Sequence, residues 1–156
     1  MSQYDVIIIG AGGIFAAYEL VKDAPQLKIA VLEAGNPLEK RKCPIDGVKV
    51  KSCINCKTCA IMNGFGGAGA FSDGKLYTRS KKRGSVDRIL NIFCQHGADT
   101  SILADAHPHI GTDKLPVVIE NIRKQIEKSG GEIHFETRMD RLLIKNDEII
   151  GVETQN

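Results

Sequence analysis

Residues Tyr4-Asp5-Val6-Ile7-Ile8-Ile9 run without a break into Gly10-Ala11-Gly12-Gly13, and Ile14-Phe15-Ala16-Ala17-Tyr18-Glu19-Leu20-Val21 follows at helical spacing. A β-branched apolar run, a glycine turn and an amphipathic run in immediate succession read as strand, tight turn and helix, the opening of a dinucleotide-binding βαβ unit. A helix N-terminus carries unpaired N–H groups and partial positive charge, and glycines let a pyrophosphate approach them. Gly10 suits the turn, and Gly12 removes the side chain that would block the phosphate. About 20 residues on, a second apolar strand over 28–32 ends in Glu33, where this pattern places a carboxylate for ribose hydroxyls. The fingerprint asks for a third small residue, and three positions after Gly12 stands Phe15. Either that position is bulky, or Gly13 is the third glycine and the turn is two residues short. In both cases the helix must present Ile14, Ala17, Tyr18 and Val21 to the sheet, and the turn absorbs the change.

With 156 residues, 42% of them hydrophobic and 26% charged, the chain has the size and balance of one soluble globular domain. Its net charge of +2 is too small to argue for a nucleic-acid partner. The basic runs Lys40-Arg41-Lys42 and Arg79-Ser80-Lys81-Lys82-Arg83 read as solvated loops. No apolar run approaches the roughly 20 residues of a membrane span, and Met1-Ser2-Gln3 leads into the first strand without the regions of a signal peptide. The expected location is therefore cytoplasmic. Five cysteines in a reducing compartment point to metal, redox chemistry or burial before disulfides.

After Glu33, regular periodicity stops, and residues 34–82 read as an irregular, cysteine- and glycine-rich insert. A loop of this length inside a domain is expected to wrap a ligand. Ser85 caps a predicted helix through Val86, Ile89, Leu90 and Phe93 that stops at Gly97. A turn at 101–104 leads to the loop His107-Pro108-His109-Ile110-Gly111. Thr112 is read as the cap of a second helix, with Pro116 in its early turns and an apolar stripe of Val117, Ile119, Ile122 and Ile126 ending at Ser129-Gly130-Gly131. Strands are expected near 132–137, 141–145 and 148–153, with Asn146-Asp147 as the hairpin turn between the last two. The fold class is thus α/β, a Rossmann-like nucleotide-binding domain with a short C-terminal β-hairpin layer.

Cys53-Ile54-Asn55-Cys56-Lys57-Thr58-Cys59 sets thiols at every third residue, so that a tight loop can aim them at one centre. With Cys43, which is followed by Pro44, the set supplies the four thiolates required by a zinc ion or a [4Fe–4S] cluster, and Cys-x2-Cys-x2-Cys is a ferredoxin-like spacing. The fourth cysteine of that run is absent, its position being Asn63. A redox-active thiol pair and unmetallated structural cysteines are the alternatives. Cys94 lies on the Ser85 helix and is expected in the core. His107 and His109 are candidates for proton donation or metal ligation, against the plainer reading of a hydrogen-bonded turn.

Two segments, 59–77 and 107–115, resemble the N-terminal part of the FAD-dependent dehydrogenases, flavoproteins with two dinucleotide-binding domains. The first contains Gly64-Phe65-Gly66-Gly67-Ala68-Gly69-Ala70-Phe71-Ser72-Asp73-Gly74-Lys75. The resemblance covers essentially the whole chain and implies FAD as cofactor. It implies Gly10, Gly12 and Gly13 at the pyrophosphate and Glu33 at the adenosine ribose. Gly66, Gly67, Gly69, Ser72 and Asp73 would lie along the ribityl and flavin side, with Met139 at the adenine through backbone groups. Lys75 and Asp73 would order the glycine-rich loop. It further implies a small-molecule substrate and NAD(P)H as a candidate electron partner, although Glu33 would suit NAD(H) at the same turn equally well. The family usually carries a residue pair between the second and third glycines, so Gly12-Gly13 reads as a two-residue deletion. Relatives also continue past the position of Asn156, so residues 1–156 are expected to be a dinucleotide-binding domain incomplete relative to the family.

Overall fold

The computed structural model describes residues 3–72, 74–76, 84–105, 107–111 and 113–155. Three short parallel strands, β1 (Val6–Ile9), β2 (Ile29–Leu32) and β3 (Glu132–His134), form a sheet in the order β1-β2-β3. Val6 pairs with Ile29 and Ala30 with Glu132, so the three strands run in step toward one carboxyl edge. Helix α1 (Ile14–Asp23) makes the crossover from β1 to β2, and α3 (Leu115–Lys128) packs beside it. Between them in sequence lies α2 (Val86–Gln95), and the antiparallel pair β4 (Met139–Lys145) and β5 (Glu148–Thr154) forms a separate hairpin.

The expected inner face of α1 is the observed one: Ile14, Ala17, Tyr18 and Val21 are its buried residues. They meet Ile29 and Val31 of β2 and Val118, Ile122 and Ile126 of α3 in the main core. A continuous apolar β2, buried at all four positions, follows from being the middle strand of a parallel sheet covered by helices. Ser85 caps α2 as predicted, its side chain accepting from the Arg88 N–H at 3.2 Å. Val86 is 37% exposed, and Ile92, which the periodic reading omitted, is buried beside Leu90 and Phe93. Cys94 is half-buried against this core.

On α3 the stripe needs one correction. Val117 is 56% exposed, and Leu115 and Val118 take the inward positions with Ile119, Ile122 and Ile126. A stripe at 115, 118, 119, 122 and 126 follows the 3.6-residue period, whereas Val117 falls off it. The proposed cap Thr112 lies outside the described residues, and the helix begins at Leu115 with Lys114 at the cap position. Asn146 and Asp147 make the β4–β5 turn with φ of 52° and 62°, as a type I′ hairpin requires. Leu142, Ile144, Ile149 and Ile150 of that hairpin are exposed. Among the described residues no helix is long and apolar enough to cross a membrane.

The described residues of the insert form short 3-10 turns at Leu38–Lys40 and Gly67–Phe71 and no α-helix. Lys40 and Lys42 are exposed, but the reading of the whole basic run as solvated is wrong for Arg41, which is 5% exposed.

Candidate functional site

The carboxyl edge of the parallel sheet is where open α/β folds bind ligands, because strand ends and the helix N-termini after them gather there. Here the chain leaves β1 at Gly10, whose N–H donates to the Leu32 carbonyl at 2.8 Å. It leaves β2 at Glu33, whose N–H donates to His134 O at 2.9 Å and whose carbonyl accepts from the Thr137 N–H at 2.9 Å. These bonds draw three strand ends around a hollow of about 340 Å³ lined by Ile9, Gly10, Ala11, Leu32, Glu33, Ala34, Met62, Asn63, Gly64, Thr137, Arg138 and Met139. Of the residues expected at the cofactor, Gly10, Glu33 and Met139 therefore meet at one place.

The glycine turn takes a form that decides between the two readings of its fingerprint. Ala11–Gly13 is a single 3-10 turn running into α1, closed by the Gly13 N–H donating to Gly10 O at 3.1 Å. Gly10 has φ +85°, a conformation that favours glycine. A Cβ on Gly13 would lie 2.0 Å from Ile8 Cγ2, whereas one on Gly12 would meet nothing within 4 Å. Gly13 thus does the work of the third glycine, the close approach of helix to strand, and Phe15 instead packs edge-to-face on Phe93 of α2 with ring centroids 5.5 Å apart.

Glu33 is 3% exposed, and its Oε1 accepts from the Gly35 N–H at 2.6 Å and the Gly64 N–H at 2.9 Å. Both bonds end on the same oxygen. The carboxylate therefore ties the end of β2 to the glycine-rich segment while still lining the hollow. A Cβ on Gly35 would stand 2.2 Å from the Gly64 nitrogen, so the two backbones touch as only glycine allows. The Glu33–Gly64 bond brings Met62, Asn63 and Gly64 to the site, three residues the sequence reading did not assign.

Gly66, Gly67, Gly69 and Ser72 are not among the residues lining this hollow. They belong to the turn at Gly67–Phe71 and its flanks, where Gly66 and Gly69 face Ile119 and Leu115 of α3. Asp73 lies outside the described residues. Lys75 bridges antiparallel to His109, with Leu76 N–H donating to Pro108 O at 2.8 Å and Ile110 N–H to Gly74 O at 3.0 Å. The histidine loop and the glycine-rich loop are thus stitched together by backbone, with His107 and His109 exposed.

Arg41 organises the insert, and no local pattern announced it. Its guanidinium donates to Phe65 O and Ile61 O at 2.7 Å and to Ala60 O and Gly67 O at 2.9 Å, and it stacks 4.7 Å from the Phe71 ring centroid. Burial pushes the Arg41 guanidinium below its ordinary value, with Glu33 and Cys59 opposing that shift. A planar five-donor fork is the side chain able to bind several carbonyls of one loop at once.

On the other side of segment 59–64, Cys43, Pro44, Ile45, Cys53, Ile54, Asn55, Cys56, Cys59 and Ala60 line a second hollow of about 240 Å³. Four of the five cysteines share it, and all five are free thiols. Among the described residues, no three His, Cys, Asp or Glu side chains are grouped closely enough to hold a single metal ion. Backbone N–H groups of Met62 and then Ile61 hold the Cys59 thiol below the usual cysteine range, and nearby Arg41 adds to this. Asn63, in place of the fourth cysteine of a ferredoxin-like run, closes the turn: its Oδ1 accepts from Cys59 N–H at 3.2 Å and its own N–H donates to Cys59 O at 2.9 Å.

No protein-family profile matches the chain. It is 34% identical over 147 residues, 94% of its own length, to an uncharacterised protein of Clostridium beijerinckii, of which it covers 27%. Over 36 residues, 22% of the chain, it is 58% identical to a thiamine thiazole synthase of Yarrowia lipolytica, of which that match covers 11%. The chain thus spans about a quarter or less of the curated relatives it matches. The crystal structure of Thermovibrio ammonificans THI4 superposes over 97% of this chain and 45% of that one, with a TM-score of 0.55 and 14% identity. At that identity the likeness is one of fold, and it agrees with the strand order and the glycine turn: the chain has a Rossmann-type α/β fold with a parallel sheet and an antiparallel hairpin.

Proposed function

We propose that this chain is the N-terminal cofactor-binding portion of an FAD-dependent oxidoreductase, with the adenosine end of FAD in the hollow at the carboxyl edge of the sheet. The observation that carries the reading is the meeting of Gly10, Glu33 and Met139 around that one hollow. Its volume of about 340 Å³ is near the lower end of the roughly 300–1,000 Å³ of small-molecule sites. That is room for the adenosine portion of a dinucleotide and not for all of FAD. Gly10 and Gly12 leave space where side chains would obstruct a pyrophosphate, since a Cβ on either meets nothing within 4 Å.

In this reading Glu33 Oε2 takes the ribose hydroxyls while Oε1 stays with Gly35 and Gly64, and backbone groups of Thr137–Met139 receive the adenine. The turn Gly10–Gly13 lies at the pyrophosphate, with Gly12 open toward it and Gly13 letting the turn pack on Ile8 of β1. Gly66, Gly67, Gly69 and Ser72 lie toward the ribityl chain. Bound flavin would supply hydride chemistry toward a small-molecule substrate, with NAD(P)H as the electron partner to test first; the chain's own residues bind and orient it. Five free thiols suit a cytoplasmic location.

The test is a calorimetric titration of the chain with FAD and, separately, with NAD+. FAD should bind and Glu33→Gln should weaken it about tenfold, the difference of about 1.4 kcal/mol between a charged and a neutral hydrogen-bond partner. FAD affinity unaltered in Glu33→Gln would remove Glu33 from the ribose site. Binding of NAD+ in preference to FAD would overturn the flavin reading.

A further inference from the structure

We propose that the hollow shared by Cys43, Cys53, Cys56 and Cys59 is a binding site for a [4Fe–4S] cluster. Four cysteines from two separate stretches of chain line one cavity of about 240 Å³, while the fifth, Cys94, belongs to α2 and the main core. A tetrahedral zinc site draws its sulfurs to about 3.8 Å from one another, given Zn–S bonds near 2.3 Å. Among the described residues no group of three or more such ligands is placed to hold a single metal ion. A four-iron cluster holds its thiolates farther apart, around a core that itself needs volume, and an open hollow rimmed by four cysteines has that form.

The ligand order agrees. In ferredoxin-like runs three cysteines spaced Cys-x2-Cys-x2-Cys serve one cluster, and its fourth ligand is a remote cysteine followed by proline. Here Cys53, Cys56 and Cys59 are the three, and Cys43-Pro44 is the remote member. Asn63, at the position of the run's own fourth cysteine, is occupied in closing the Cys59 turn.

Sulfur ligands of such clusters are tuned by backbone N–H groups, and one such contact is already formed. The Asn55 N–H donates to Cys53 Sγ at 3.5 Å, from a turn in which Asn55 has φ 52°. The remote stretch is ordered too: Asp46 accepts from Val48, Lys49 and Val50 N–H groups at 2.8–2.9 Å, fixing the turn between Cys43 and Cys53. Ligation replaces four S–H bonds with four S–Fe bonds and releases four protons.

This assignment does not rest on the flavin reading, although the segment carrying Cys59 and Ala60 on this hollow carries Met62, Asn63 and Gly64 on the other. The test is anaerobic purification of the whole chain, with a second sample incubated with iron, sulfide and a thiol reductant. Iron, zinc and acid-labile sulfide are then counted, and the dithionite-reduced protein is examined by EPR. About four irons and four sulfides per chain are expected, with a broad visible absorbance that dithionite bleaches. Cys53→Ser, Cys56→Ser and Cys43→Ser should each lose more than half of the iron with unchanged far-UV circular dichroism, and Cys94→Ser should keep it. Zinc at one equivalent in place of iron, less than one iron per chain in both samples, or iron retained in all three ligand variants would overturn the proposal. Flavin content, read separately as FAD released on denaturation, leaves this outcome untouched.

Discussion

Ile29 and Val31 of β2 are 0–1% exposed and share the main core with the equally buried Val118, Ile122 and Ile126 of α3, aliphatic side chains on both sides. Across the sheet's carboxyl edge, the described part of the insert buries two hydrophobic side chains, Phe65 and Ala70, and is held chiefly by charged groups on backbone: Arg41 on four carbonyls, Glu33 on two N–H groups, Asp46 on three. The first region is stabilised by area removed from water, spread over many residues. The second is stabilised at a few atoms. A structure of the second kind can hold the open hollows a ligand needs, and it fails at single points.

The largest effect should therefore come from Arg41→Met. Several carbonyls lose one charged donor together, and the cost is about 3–5 kcal/mol, since each unsatisfied buried acceptor costs about 1–3 kcal/mol and the losses are not additive. The damage should be local. Amide exchange should show residues 59–67 losing protection while 29–32 and 118–126 keep theirs. Equal loss in both places would mean that the insert and the core are one cooperative unit and that the contrast drawn above is false.

The same contrast explains what could be read from the sequence. Apolar periodicity is a repeated signal, so the buried face of α1 and the cap of α2 were legible, and Glu33 could be placed by counting from the glycine turn. Arg41 sits between two exposed lysines and is identical, as a local pattern, to a solvated basic run. What buries it is the arrival of carbonyls 19 to 26 residues later in the chain, and no spacing rule announces that. Met62 and Asn63 were missed for the same reason, since the Gly64 N–H bond to Glu33 brings them to the hollow. On α3, Val117 was misplaced because two adjacent valines both suit an apolar stripe and only the position of the partner helix chooses between them.

A smaller effect separates the two middle glycines of the turn. Gly13→Ala drives a methyl to 2.0 Å from Ile8 Cγ2, so helix or strand must shift, at about 1–3 kcal/mol for overpacking. Gly12→Ala meets nothing within 4 Å and should alter stability by less than about 0.5 kcal/mol. Urea unfolding of the two variants measures this difference directly. Equal costs would put the close helix–strand approach elsewhere and restore Phe15 as the misfit of the fingerprint. In the proposed flavin site the order reverses for binding, because Gly12 leaves room for phosphate while Gly13 faces the strand.

The smallest effect concerns acid, where both regions contain a carboxyl held below its usual range for different reasons. Glu132, at the start of β3, is depressed first by the Tyr4 hydroxyl, which donates to it at 2.6 Å, and then by Lys28 and His134. Asp46 in the insert is depressed by the backbone N–H groups of Val50 and Val48. A carboxyl whose folded value is depressed contributes stability above its ordinary value, and that contribution is lost as pH falls through the depressed one. Both therefore favour the fold at neutral pH and cease to do so in acid. Tyr4→Phe removes the leading cause for Glu132 alone, so its carboxyl should titrate nearer the ordinary glutamate range and the acid unfolding midpoint should move to higher pH. Asp46 should titrate as before, because its partners are backbone groups of its own turn. Carboxyl carbon shifts followed by NMR from neutral pH downward would read both at once. Movement of Asp46 along with Glu132 would mean that the sheet and the insert exchange stability through a path that none of the hydrogen bonds described above provides.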